Sequence, residues 1–131
     1  MSVKALREIN RNFPHDPEYQ EESFTGILHE LGRWDEEAYQ KLEAALVELS
    51  RQYQHASDLP RGLVWRIMNI FGDIMMSIRC HFDPNDGYRI ENIFNDQLRE
   101  KEDRFRYVVE SFFEGRVPDL SLFDEEPDER L

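Results

Sequence analysis

Residues 63–82 read LVWRIMNIFGDIMMSIRCHF, and this run decides the fold. Wound at about 3.6 residues per turn, it places Leu63, Val64, Trp65, Ile67, Met68, Ile70, Phe71, Ile74, Met75, Met76, Ile78 and Phe82 on more than one face. A helix that is apolar nearly all round is a buried one. Arg66, Asn69, Asp73, Ser77 and Arg79 interrupt the pattern, so burial is incomplete. The reading is a central helix, with Trp65, which could also serve as a surface anchor, assigned to the core in preference. Pro60 suits its first turn, where a missing N–H is no loss. Asp83-Pro84-Asn85-Asp86-Gly87 stops it with dense turn chemistry.

Working back toward the N-terminus, Asp35 is a good N-cap, and Glu36 and Glu37 favour the positive end of a helix dipole. Ala38, Leu42, Ala45, Leu46, Leu49 and Tyr53 then continue one apolar stripe toward Ser57. Before it, Phe24, Ile27, Leu28 and Leu31 predict another helix, starting near Glu18 after Pro14 and Pro17 and closed by Gly32 as a left-handed cap. The short connection from Gly32 to Asp35 predicts an antiparallel hairpin. No helix is assigned to residues 1–17.

Working forward, Tyr88 to Ile93 alternates weakly and reads as a short extended piece. A last helix runs from Asn95 or Asp96 to Glu114, with Leu98, Phe105, Val108, Val109, Phe112 and Phe113 as its buried stripe and Gly115 as its stop. Beyond Pro118 the chain is strongly acidic, although Leu120, Leu122 and Phe123 are placed to pin its beginning. The expected architecture is all-α: one compact bundle of about four main helices over residues 1–119, then an acidic tail over 120–131.

Sixteen Lys and Arg stand against 28 Asp and Glu, a formal net charge of −12. That field repels nucleic acid and anionic membrane surfaces, and it attracts basic proteins while speeding their encounter. Cys80 is the single cysteine, so no intramolecular disulfide is available. The start lacks a signal-peptide core, and no stretch approaches the roughly 20 apolar residues of a membrane span. The chain reads as cytoplasmic.

Catalytic signatures fail on inspection. Asp83–Gly87 opens like a calcium loop, but Gly87 and Phe94 stand where oxygen ligands belong, and Tyr88 stands where the loop needs its glycine. Cys80 and His81 are adjacent, so on a helix their side chains point about 100° apart and do not face each other. His15, His29 and His55 lack metal-ligand spacing. No catalytic residue, metal or cofactor is assigned. The candidate partner-binding residues are the acidic clusters with one aromatic anchor: Glu21, Glu22, Trp34, Asp35, Glu36, Glu37, Asp83, Asp86, and Asp124, Glu125 and Glu126 of the tail.

Residues 22–35 (ESFTGILHELGRWD), Glu37-Ala38-Tyr39, residues 75–87 (MMSIRCHFDPNDG), Arg104-Phe105 and residues 110–115 (ESFFEG) resemble the immunity protein 41 family. The resemblance spans about Asn10 to Asp119 and leaves the tail outside. It implies a small bacterial protein encoded beside a polymorphic toxin, such as those of contact-dependent growth inhibition, which binds the cognate toxin domain 1:1 and blocks it. It carries no active site. Charge adds that the toxin is basic and of nuclease type, its phosphate-binding cleft filled by carboxylates standing in for phosphates. The alternative reading is an acidic adaptor bundle for another basic protein, nucleic-acid mimicry included.

Overall fold

The apolar run at 63–82 does wind into one helix, and burial selects a single stripe of it. The computed structural model describes residues 2–123. Its elements are α1 (Val3–Arg11), α2 (Phe24–Leu31), α3 (Glu36–Tyr53), α4 (Arg61–Phe82) and α5 (Asn95–Glu114), followed by a 3-10 turn at Leu120–Phe123. The fold is all-α, and no strand occurs among the described residues.

Along α4 the buried residues are Leu63, Ile67, Ile70, Ile74 and Ile78, spaced four, three, four and four apart. Trp65 stands two positions from Leu63, about 200° round the helix at 100° per residue, and is 53% exposed. Its assignment to the core is therefore corrected: apolar residues on several faces leave the phase of a helix open, and packing chooses it. Pro60 stands just before α4, its carbonyl accepting the Val64 N–H.

α3 makes the most extensive contacts, packing on α1 and on α5, while α4 packs on α2 and α5 and touches α1. α2 leans more on α4 than on α3, so the α2–α3 pair is not the closed hairpin that its short connection predicts. The core is knit by rings. Phe24 meets Trp34 edge-on at 4.7 Å, Trp34 lies 5.2 Å from Tyr39, and Tyr39 meets Phe105, which stacks with Phe71 at 5.7 Å. Such offset and edge contacts add to the gain from burial itself.

The helix ends follow local chemistry. Asp35 caps α3 through its carboxylate on the Ala38 N–H at 2.9 Å. Gly32 and Gly115 close α2 and α5 in the left-handed region at φ 60° and 76°. Two boundaries differ from the sequence reading. α1 is an additional helix, capped by the Ser2 hydroxyl on the Ala5 N–H and burying Ala5, Glu8 and Ile9 against α3. Residues 18–23 are turns, not helix. The Asp16 carboxylate takes the Glu18 N–H at 2.8 Å, and Ser23 is the true cap of α2, accepting from Gly26.

Residues 88–93 form no strand. They are fastened instead to the α2–α3 connection. Asn92 brackets Trp34 with two hydrogen bonds, accepting its N–H at 2.7 Å and donating to its carbonyl at 2.8 Å. The Glu91 N–H donates to the Gly32 carbonyl, and the Tyr88 hydroxyl donates to the Leu28 carbonyl. At the far end Leu120 packs on the core and Phe123 lies 5.3 Å from Tyr107, while Leu122 is exposed.

Candidate functional site

The acidic clusters on either side of α2, separate in sequence, meet in one cleft. α1 sets one wall. Its last turn is clamped by the fully buried Asn12, whose side-chain oxygen accepts the Thr25 N–H at 2.9 Å and the Thr25 hydroxyl at 3.0 Å. Arg11 is tied to the following turn twice, through its Nε to Gln20 at 2.7 Å and its carbonyl to the Gln20 N–H. The turn itself is held close to α2 by Gly26, where a Cβ would lie 2.5 Å from the Glu21 carbonyl oxygen. A side chain there would push the Glu21–Glu22 backbone away. The first turn of α3 forms the opposite wall.

The resulting cleft has a volume of about 280 Å³ and is lined by Glu8, Arg11, Glu22, Ser23, Ile27, Asp35, Glu37, Ala38 and Lys41. Four carboxylates face two cations. Arg11 pairs with Glu8 at 2.7 Å, and Lys41 lies 3.9 Å from Glu37. Asp35 forms no ion pair but is engaged by its cap, so among the described residues of the cleft the exposed Glu22 is the carboxylate with neither an ion pair nor a hydrogen bond. Ligand pockets are mostly apolar with a few polar groups. Here Ile27 and Ala38 are the apolar members, so the site suits an inserted Lys or Arg side chain better than an organic substrate.

The other candidates fall elsewhere. Trp34, expected at the surface as a docking anchor, is 4% exposed, with its Nε1 donating to Glu36 at 2.9 Å. Its place in the aromatic core removes it from any docking surface. Glu36 also receives Lys101 at 3.0 Å and so braces α3 against α5. Glu21, next to Glu22, bears on Tyr19 rather than on the cleft. Asp83 and Asp86 lie outside the cleft and serve their own loop, accepting the Asn85 and Tyr88 N–H groups at 2.9 and 2.8 Å. Asp124, Glu125 and Glu126 lie outside the described residues.

Cys80 and His81 do not face one another. Burial, and then the neighbouring Asp86 carboxylate, push the Cys80 thiol up. The same loop holds Asp86 below the ordinary carboxylate value, chiefly through the Tyr88 N–H. His81 accepts the Ile90 N–H on Nδ1 at 2.9 Å, which leaves its Nε2 to donate to Asn95 at 2.7 Å. His81 thus ties α4 to the 83–95 loop. Among the described residues no three His, Cys, Asp or Glu are grouped to hold a metal ion, and no helix is long and apolar enough to cross a membrane.

Sequence reasoning missed Glu8 and Arg11, because α1 itself was not legible in it. The signal was present in Ser2, three residues before Ala5, and in the Ala5–Ile9 pair four residues apart. Compared with known proteins, residues 11–123 match a family model described as Immunity protein 41. No curated protein and no solved structure matches the chain.

Proposed function

The chain belongs to the immunity protein 41 family, and from that premise we propose that it binds a cognate bacterial toxin domain and neutralises it. The family match across nearly the whole domain carries the reading. The cleft supports it physically. Glu22, Asp35 and Glu37 present carboxylates on a rigid frame, and a net charge of −12 draws a basic toxin in from a distance. The protein acts by occupying the toxin surface, 1:1 and in the cytoplasm, not by catalysis. A toxin with a phosphate-binding cleft, such as a nuclease, has the complementary charge.

The test is co-purification with the C-terminal domain of the toxin encoded immediately upstream, paired with growth rescue of cells expressing that domain. A tight 1:1 complex and rescue are expected. Neither complex nor rescue would remove the immunity assignment.

A further inference from the structure

Exposed residues of α4 fall on one line. Trp65, Met68, Gly72 and Met76 are three, four and four residues apart, which confines them to an arc of about 80° at 100° per residue. Trp65, Met68 and Met76 are 53%, 47% and 58% exposed. A Cβ at the exposed Gly72 would meet nothing within 4 Å. The stripe runs about 16 Å along the helix. It lies away from the isoleucine stripe that packs α4 into the bundle.

Trp65 is presented rather than loose. Phe13 meets it edge-on at 4.9 Å and His15 stacks beside it at 6.2 Å. Arg66 fixes that loop through Asp16 at 3.2 Å and lies over the Phe13 ring. Tryptophan held in one rotamer loses little freedom on binding and is enriched among residues that dominate interface energy. Methionine beside it adapts its shape to a partner.

One flank of the stripe is anionic. Asp73 of α4, Glu30 of α2 and Glu21 of the preceding turn all bear on Tyr19, whose hydroxyl is raised first by burial and then by these carboxylates. The neighbouring Glu22 lines the cleft, so cleft and flank meet at that turn. Arg61 and Arg79 stand near the ends of the stripe. A second copy of the chain would bring another −12 to this flank and be repelled. A partner with an apolar patch beside Lys and Arg gains on both counts.

We infer that the α4 face, centred on Trp65 and Met76 and flanked along the helix by Asp73, is the docking surface for the toxin domain. This rests on the immunity reading. It adds that the largest binding contribution comes from the apolar stripe, with the acidic flank and cleft setting orientation.

The experiment measures affinity of the full chain for the toxin domain encoded immediately upstream. Trp65→Ala and Met76→Lys should each weaken binding by about 30-fold or more, while Val3→Lys, on the exposed side of α1, stays within about threefold. Met76 has no ring partner, so its variant keeps the test open if Trp65→Ala disturbs the Phe13 loop. Wild-type binding with both α4 variants unimpaired overturns the inference and leaves the immunity reading standing. Failure of the wild type to bind removes both. A dimer that Trp65→Ala dissociates assigns the stripe to self-association and overturns the inference.

Discussion

Arg104 on α5 grips Glu43 on α3 through two hydrogen bonds of 2.7 Å each, and the carboxylate it holds is 93% shielded, its side chain only 7% exposed. Two-pronged pairs of this kind fix direction as well as distance. They tie the two helices in one register, and Glu36 with Lys101 repeats the tie one end further along. The pair also holds Arg104 well above the ordinary guanidinium value, first through the Glu43 bond.

Breaking this pair from one side strands a buried charge. Arg104→Leu should cost about 3 kcal/mol of stability, read from the midpoint of urea unfolding. Replacing Glu43 and Arg104 together should cost markedly less than the two single losses added. Additive losses would show that the two side chains contribute separately.

Beside the pair, the Tyr39 hydroxyl is buried without a hydrogen-bond partner, and Glu43 lies close. Burial, and then Glu43, push its pKa well above the ordinary value of 10.0. The folded state therefore holds this proton more tightly than the unfolded chain. Its contribution is complete below pH 10.0 and is lost as pH climbs toward the raised native value. Stability should fall above pH 10.0, and Tyr39→Phe should flatten that decline. Tyr88, also raised by burial, leaves a smaller slope behind. An unchanged slope in Tyr39→Phe would assign the alkaline loss to other groups.

Two glycines should respond in opposite directions. Gly32 sits at φ 60°, and a Cβ there would lie 2.4 Å from the Arg89 carbonyl oxygen. Gly32→Ala should cost about 2 kcal/mol or more, combining left-handed strain with a backbone collision. Gly72, in an open stretch of helix, should gain about 0.5–1 kcal/mol on replacement by Ala. Thermal melts of both variants against wild type decide this, and a stabilised Gly32→Ala would contradict the packing described.

If charge steers the encounter, Glu22→Lys with Glu37→Lys should slow association with the toxin domain by about tenfold at low salt and far less near physiological ionic strength. Stopped-flow traces across a salt series give the answer. A rate equal to wild type at low salt would remove the cleft from the path of approach.

Where the sequence carries its own local chemistry, the structure follows it. Asp35 caps α3, Gly32 and Gly115 stop their helices, and the spacing of α5 names Leu98, Phe105, Val108, Val109 and Phe112 correctly, whereas Phe113, expected in the same stripe, is only half-buried. The tryptophans show where legibility ends. Trp34 sits in a short polar connection and looks exposed, yet Asn92, 58 residues away, fastens its backbone while Phe24 and Tyr39 enclose its ring. Trp65 sits in an apolar run and looks buried, yet the isoleucines claim the core side of α4. Periodicity tells which residues share a face, and only long-range packing tells which face turns inward. The cleft was half legible: Glu22, Asp35 and Glu37 carry acidic composition that can be read directly, whereas Glu8 and Arg11 arrive on a short helix announced only by its Ser2 cap and the Ala5–Ile9 spacing.

The bracket between Asn92 and Trp34 also sets a clock. Ribosomes add about 5–20 residues per second, so the 58 residues between them take roughly 3–12 s to make. Through that interval the Trp34 backbone lacks its bracket, Leu28 lacks Tyr88, and Glu43 lacks Arg104. The N-terminal half therefore waits for the C-terminal half before its surface takes final shape.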